Sequence, residues 1–358
     1  FCPREWYPMI LMGLLLNRTQ RLPYYQYLSR KYGLRLLVFS PADINWSRRS
    51  TTGLLLQRGA WYWGTYPLPA AIYNRCYPGE ARLIARLEEV LGSGRIFNTA
   101  TAFDKLQVHQ ILQKSGVLQR YLPPAQALGS ESLEKLLCEG KKLVIKPRIG
   151  QSGRGVYLLE PAGGSVVVSS AYGITLPLPT EAFSAFLAVL AAEAGYIVQE
   201  YVEGAVVHGG LFDVRLVAQK GRQGEWEITG ALSRAAQPDT FVTNYYRALY
   251  APAHLLRPLG EMGRRALSTM AELALISAGQ LDGGLGHLGE ICVDFMVDPQ
   301  GKPWIIEVNG KPDKSLFHEL GDEEMRERVY LTPLTYLKRL SYLQPHRAKG
   351  VEHREGNI

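Results

Sequence analysis

Apolar positions in the first third of the chain gather into short runs separated by polar breaks. Met9–Leu16, Leu34–Phe39, Gly53–Gln57 and Ala70–Asn74 read as strands. Between the first two, Tyr24–Tyr32 is rich in Tyr and Leu and is closed by Gly33, as a helix would be. Strand, helix, strand in that order predicts a parallel sheet, so residues 1–96 form an α/β domain. It contains neither a Rossmann nor a Walker phosphate loop.

The pattern changes at Asn98. Thr101-Ala-Phe-Asp104 has capping-box spacing and opens a helix that runs to Ser115 and stops at Gly116, with Lys105 in its first turn. After Leu122-Pro-Pro124 come a short helix near Glu131–Cys138 and the strand Lys142–Pro147. The loop Arg148-Ile-Gly-Gln-Ser-Gly-Arg-Gly155 leads to the strand Val156–Leu159. The apolar helix Glu181–Ala194 precedes the strand Tyr196–Val202. Phe212–Lys220 and Glu225–Leu232 form a hairpin through Gly221-Arg-Gln-Gly224. Helical spacing marks Glu261–Ser277, ending near Gly279. A last hairpin, Ile291–Val297 with Pro303–Asn309, turns through Asp298–Lys302, and the polar residues 343–358 read as a loose tail.

Composition narrows the classes. Apolar residues make up 46% and charged residues 20%, an ordinary globular balance. A net charge of +7 suits anionic ligands such as nucleotides, acidic substrates or anionic polymers. No run of five basic residues points to specific nucleic-acid binding. Cys2, Cys76, Cys138 and Cys292 lie far apart, which fits neither a zinc site nor a disulfide framework and predicts a reducing, cytoplasmic setting. The run Pro8–Leu16 is too short to span a bilayer, and no small-residue cleavage site follows it. The chain begins without Met, so a few preceding residues are expected to be missing. The seven His residues show no metal-binding spacing, and no GxSxG elbow is present.

Candidate chemistry concentrates after Asn98. If the last hairpin turns between Gln300 and Gly301, Asp294 lies opposite Glu307 with Cβ atoms about 5 Å apart, and Asn309 shares their face. Facing carboxylates call for a cation, and an Asp, Glu and Asn oxygen set suits Mg²⁺. A solvated face, or carboxylates paired with Lys or Arg, is the alternative. The alternation of Val293, Phe295, Ile306 and Val308 assigns the other face to the core. Lys146 ends a strand beside a loop whose Gly150, Ser152, Gly153 and Gly155 can bring backbone N–H groups close to phosphate. Val198-Gln-Glu-Tyr-Val202 is either a plain core strand or an extended edge for an adenine ring, with Glu200 or Glu203 on the ribose or amino group. Asp213 and Arg215 share a strand face and pair with each other or with neighbours. Arg215, Arg234 and Asn244 are candidate ligands for carboxylate or phosphate oxygens.

Taken in order, these residues resemble the ATP-grasp superfamily over roughly residues 97–335. The order is Lys105, Lys146 with its glycine loop, Gln199-Glu-Tyr-Val202, Asp213/Arg215, Arg234, Asn244 and Asp294…Glu307-Val-Asn309. Ile72-Tyr-Asn-Arg75, Phe103-Asp-Lys105, Ser233-Arg234 and Ile306-Glu-Val-Asn-Gly-Lys-Pro312 are similar to the endospore coat-associated YheC/YheD-type branch. The resemblance implies an α/β (α+β) ATP-grasp fold in which two subdomains grip ATP, preceded by a pre-ATP-grasp-like domain. A lid of about residues 120–200 and a metal-binding part of about 201–340 would together form a domain over 97–342. It implies ATP with Mg²⁺, or Mn²⁺ in its place, held by Asp294, Glu307 and Asn309. Lys105, Lys146, the loop, Gln199–Glu203, Asn244 and Lys311 would lie on the nucleotide, and Arg234 and Arg215 on the transferring phosphate. The implied activity is carboxylate–amine ligation through an acyl phosphate; a kinase, or a spore-coat assembly protein without ligase activity, is the alternative. Two departures stand out: Cys292, where peptide-ligase relatives often carry Arg, and a lid loop lacking the commoner Gly-Ser-x-Gly-x-Gly.

Overall fold

In a computed structural model of the chain, the described residues are 10–129, 133, 136–150, 152–193, 195–238 and 240–343. Cys2, Met9, Glu131, Gln151, Ala194 and the tail after residue 343, on which expectations fell, lie outside them. The chain divides into two compact units. One comprises residues up to Cys76, Glu80–Thr99 and the chain from Leu334 on; the other comprises Tyr77–Gly79 and Ala100–Pro333.

The first unit holds β1 (Met12–Leu15), α1 (Pro23–Tyr32), β2 (Leu36–Phe39), β3 (Ile44–Asn45), β4 (Ser50–Gln57), β5 (Ala60–Pro67), β6 (Ala71–Asn74), α2 (Ala81–Leu91) and β7 (Ile96–Phe97). The sheet order is β3-β4-β2-β1-β6-β7, with β5 on β4. β1 pairs in parallel with β2 and β6, and β6 with β7. Every residue of β1, β2 and β6 is buried, which is why they read as continuous apolar runs and not as alternation. Gly33 ends α1 at φ 66°, its N–H donating to the Ser29 carbonyl. The expected strand at Gly53–Gln57 is instead half of an antiparallel hairpin. Arg58 and Gly59, both at positive φ, make a two-residue turn into β5.

The second unit carries two antiparallel sheets. After α3 (Lys105–Gln113), the first comprises β8 (Ala125–Ala127), β9 (Leu143–Pro147), β10 (Tyr157–Ala162), β11 (Ser165–Ser170), β12 (Thr175–Pro179) and β13 (Tyr196–Glu200), in the order β12-β11-β10-β9-β13-β8. Helix α4 (Thr180–Ala192) lays Phe183 and Leu190 against Ile145, Leu159 and Val198. The second sheet comprises β14 (Val206–Val207), β15 (Gly210–Lys220), β16 (Trp226–Ala236), β17 (Tyr246–Tyr250), β18 (Glu290–Val297) and β19 (Pro303–Asn309), in the order β17-β16-β15-β18-β19, with β14 on β15. Its core face packs Val214, Leu216, Val293 and Phe295 against α5 (Pro252–Leu256) and α6 (Gly260–Leu285). The short α7 (Leu316–Glu319) and the long α8 (Glu323–Ser341) follow.

Gly279 does not end α6. The helix runs 26 residues in all, from Gly260 to Leu285, and stops before Gly286 at φ 108°. An interior Gly costs a helix only about 1 kcal/mol, and the buried stripe Ala266, Met270, Leu273, Ala274, Ala278 and Leu281 outweighs it. At Gly284 a Cβ would lie 2.8 Å from the tip of the Ile111 side chain of α3, which would have to shift to admit it. Among the described residues no helix is long and apolar enough to cross a membrane.

Two glycines of α6 therefore respond oppositely to alanine. A Cβ at Gly263 would meet the Leu256 carbonyl at 2.1 Å, and Gly263→Ala should cost about 1–3 kcal/mol in urea unfolding. Gly279 has nothing within 4 Å, and Gly279→Ala should stabilise by about 0.5–1 kcal/mol. Equal effects of the two substitutions would refute the packing of α5 on α6.

Candidate functional site

On the face of the second sheet opposite its core, three strands carry alternating charge. Register places Asp213 opposite Arg234 and Arg215 opposite Asp294. Arg215 donates to both Asp294 oxygens, Nε to Oδ1 and Nη2 to Oδ2, each at 2.7 Å. Arg234 donates through Nε to both oxygens of Asp213 at 3.0 Å, and its Nη2 bonds Asp213 and reaches Asp294 Oδ2 at 3.0 Å. Thr243 Oγ1 adds a 2.5 Å bond to Asp213, and Asn244 Oδ1 accepts from Arg234 at 3.1 Å. Asp213 thus pairs with Arg234 and not with Arg215, because cross-strand neighbours stand closer than residues two apart on one strand. Burial pushes the Asp294 carboxyl up, but Arg215 and Arg234 outweigh it and hold the group at about 2. Both guanidinium groups are raised in turn.

The last hairpin sets Asp294 opposite Glu307, but by another route than the sequence predicts. Val297, Met296 and Phe295 face Pro303, Trp304 and Ile305, so the turn centres on Gln300, and a bulge between Asp294 and Phe295 shifts the register by one. The consequence is a correction: Ile305 is the buried core residue, whereas Ile306 turns into the cleft. The freed Ile306 carbonyl accepts from Lys146 Nζ at 3.1 Å. Asn309 lies opposite Cys292, on the face of Glu307. Cys292 is fully buried, and burial pushes its thiol up to about 12, so it is no nucleophile at neutral pH.

Lys146 is 6% exposed, and its other contact is Gln199 Oε1 at 2.7 Å. Both are neutral acceptors. Burial depresses the ammonium to about 8, and nearby Lys105 adds to this while Glu307 and Asp294 oppose it. Lys105 Nζ bonds the Gly150 carbonyl at 3.0 Å and lies 3.3 Å from Glu307. The glycine loop turns through positive φ at Ser152, Gly153 and Gly155. Gly153 sits below Ala171, Asn244 and Tyr245, and Gly155 is pressed against Pro147 and the Tyr196 hydroxyl.

Asp104, and not Thr101, is the N-cap of α3, accepting from the Leu106 and Gln107 amides. Its carboxylate also receives Arg148 Nε and Nη2, which clamps the root of the glycine loop to the start of α3. Composition did not single out this clamp, although Phe103-Asp-Lys105 contains half of it. Thr243 and Ile306 were likewise missed as site residues; only a known strand register could have revealed them.

Strand β13 is not an edge, since β9 and β8 flank it. Just beyond its end the Tyr201 amide donates to the Lys142 carbonyl. Glu200 pairs with Lys141, and Glu203 pairs with Lys142. Lys105, Lys146, Gly150, Ser152, Gly153, Gln199, Glu200, Tyr201, Val202, Arg234, Asn244, Asp294 and Glu307 line one cleft of about 920 Å³, mouth included. Gly155, Glu203, Arg215, Asn309 and Lys311 are not on its wall. Lys311 lies over the Tyr77 ring at 5.9 Å. Behind Lys146, His109 is buried, with Nε2 lacking a hydrogen bond among the described residues, and burial and Lys146 hold its pKa down.

Lys105, Lys146, Arg154 and Arg234 on the wall, with Arg215 behind it, outnumber Glu200, Asp213, Asp294 and Glu307 by one positive charge, and among the described residues no carboxylate pairs with the buried Lys146. An anionic ligand fits that deficit. Among the described residues no three His, Cys, Asp or Glu gather to enclose a metal. Two carboxylates and an amide suit a Mg²⁺ ion that keeps waters and takes phosphate oxygens. Asp294 is held ionised, and its Oδ1, which receives one arginine N–H where Oδ2 receives two, retains a lone pair.

Solved structures share this architecture. The ATP-grasp ligase PsnB, complexed with a phosphomimetic variant of minimal precursor, Mg and ADP, matches with TM-score 0.56 and 14% identity, over 92% of this chain and 98% of that one. D-cycloserine synthetase DcsG matches with TM-score 0.54 and 19% identity, over 92% and 99%. The fold is ATP-grasp, of mixed α/β class. The family described as YheC/D like ATP-grasp matches residues 93–340, and the chain belongs to it. Endospore coat-associated protein YheD of Bacillus subtilis (strain 168) is 28% identical over 300 residues, covering 78% of this chain but only 65% of that protein, under two thirds of its length. Endospore coat-associated protein YheC of the same organism is 24% identical over 369 residues, covering 97% of this chain and 100% of that protein.

The charge network should govern acid stability. The folded-state pKa of Asp294 lies below its ordinary value of 3.8, so the folded protein binds fewer protons there than the unfolded chain. The resulting stabilisation is complete above about pH 4 and is lost as pH falls towards 2. Urea unfolding in metal-free buffer should show this decline in the wild type and a flatter one in Asp294→Asn. Parallel profiles would contradict the assignment.

Proposed function

We propose that the chain is an ATP- and Mg²⁺-dependent carboxylate–amine ligase. The observation that carries this reading is Lys146: a buried ammonium whose partners among the described residues are neutral, next to a glycine loop and beside facing carboxylates. Lys146, Lys105 and the loop amides would bind the nucleotide phosphates, while Gln199–Val202 would border the base. Asp294, Glu307 and Asn309 would hold Mg²⁺, which supplies charge neutralisation between phosphates. Arg234, fixed by Asp213, Asn244 and Asp294, would donate to the transferring phosphoryl oxygens, with Arg215 fixing Asp294 from behind.

In the reaction proposed, a substrate carboxylate oxygen bonds the terminal phosphorus of ATP as ADP leaves. An amine nitrogen then displaces phosphate from the acyl phosphate to give an amide. Closure of a lid of about residues 120–200 would exclude water from that acyl phosphate. The names of YheD and YheC support placing the product or its maker at the endospore coat.

Two experiments test this. MgATP should raise the melting temperature of the wild type but not of Glu307→Gln or Lys146→Met. Lys146→Met should melt no lower than the wild type without ligand, since it removes a poorly compensated buried charge. No wild-type shift at millimolar MgATP would overturn the nucleotide reading. With hydroxylamine as the amine, a panel of amino acids and dicarboxylic acids should include one that yields hydroxamate and ADP together. ADP release with a stable phosphorylated product and no hydroxamate would make the protein a kinase instead.

A further inference from the structure

Charge is unevenly placed along the chain. Residues 1–99 hold 13 Lys and Arg against 5 Asp and Glu, net +8, whereas residues 100–358 hold 27 against 28, net −1. The basic excess therefore belongs to the first unit and not to the cleft.

That unit also exposes the outer side of β5. The strand pairs with β4 without a bulge from Gln57↔Ala60 to Ser50↔Pro67, and among the described residues no strand covers its other side. A two-residue turn makes Gln57 and Ala60 a hydrogen-bonded pair, so the N–H and C=O groups of Trp61, Trp63 and Thr65 point away from β4. Free edges are usually blunted by Lys, a bulge or an early Pro. β5 reads Ala-Trp-Tyr-Trp-Gly-Thr-Tyr-Pro, without charge, and its Pro67 comes last. Tyr62 is 54% and Trp63 63% exposed. Arginines mark both ends. Exposed Arg58 forms the turn, with Arg30 beside Gly59; exposed Arg48 and Arg49 lie at the far end, where the Arg49 carbonyl accepts from the Leu68 amide.

We propose that the free edge of β5 binds an acidic polypeptide in extended conformation by strand addition. The incoming backbone pairs with Trp61, Trp63 and Thr65, its side chains lie along Tyr62 and Trp63, and its carboxylates meet the terminal arginines. A ladder of amides and carbonyls matches a polypeptide and not a nucleic acid or a lipid surface. A second copy of the chain fits less well, because it would bring two segments of net +8, residues 1–99 of each copy, together.

The test uses the whole chain and a fluorescein-labelled alternating Glu–Val peptide as long as β5, read by anisotropy. Saturable binding is expected, weakened about tenfold or more by Thr65→Pro, which removes one outward N–H and leaves the β4 ladder intact. Arg48→Glu with Arg58→Glu, outside the strand, should weaken it comparably and serves as the second variant if Thr65→Pro melts early. Methylation of alternate peptide nitrogens should abolish binding. No binding, equal binding of the methylated peptide, or indifference to both variants would overturn the proposal. Preference for single-stranded oligothymidylate or phosphatidylglycerol vesicles would reassign the basic face. A dimer in sedimentation velocity that Thr65→Pro dissolves would reassign the edge to a second copy.

Discussion

The buried chain of opposite charges running Asp213, Arg234, Asp294, Arg215 is the constraint around which the second unit is arranged. The links Asp213–Arg234 and Arg215–Asp294 join neighbouring strands, and Arg234–Asp294 reaches across β15, so the register of β16, β15 and β18 and the electrostatics of the cleft are one requirement. A one-residue slip would turn every member towards the apolar core and leave the charges uncompensated there. Buried pairs of this kind contribute little net stability, since desolvation offsets their attraction. Their use is positional: Arg234 reaches the cleft with its orientation set by three acceptors, and Asp294 stays ionised where burial pushes its carboxyl towards protonation.

Around that network the cleft keeps its other cations poorly matched. Lys146 is surrounded by neutral oxygens, and Lys105 shares Glu307. The resulting surplus of positive charge favours an anionic visitor, and relieving it offers binding free energy that a fully paired site would lack. The clamp of Arg148 on Asp104 anchors the root of the glycine loop, Lys105 and the Tyr245 hydroxyl donate to the Gly150 and Ser152 carbonyls, and the positive φ of Ser152, Gly153 and Gly155 shapes the turn.

Sequence reasoning recovered the features that depend on local order. The apolar runs of β1, β2 and β6, the glycine loop after Lys146 and the spacing of Asp294 with Glu307 could all be read along the chain. It missed what depends on contacts between distant segments. β11 and β12 are half-exposed without a clean alternation, and β5 hides its pattern in aromatics on both faces. The partner of Asp213 needed the strand register, and the full length of α6 needed the tertiary burial of its stripe from Ala266 to Leu281. The family match settles the fold; the roles of individual cleft residues rest on the chemistry argued above.

The bulge beside Asp294 also divides the hairpin into two mechanically separate halves. Towards the turn, Val297, Met296 and Phe295 keep one register; towards Asn309, Cys292 and Asp294 keep another. Changes of turn length or pairing at Asp298–Lys302 can be absorbed at that joint before they reach Glu307. The outer half can change length or pairing while the carboxylate pair behind the joint keeps its alignment.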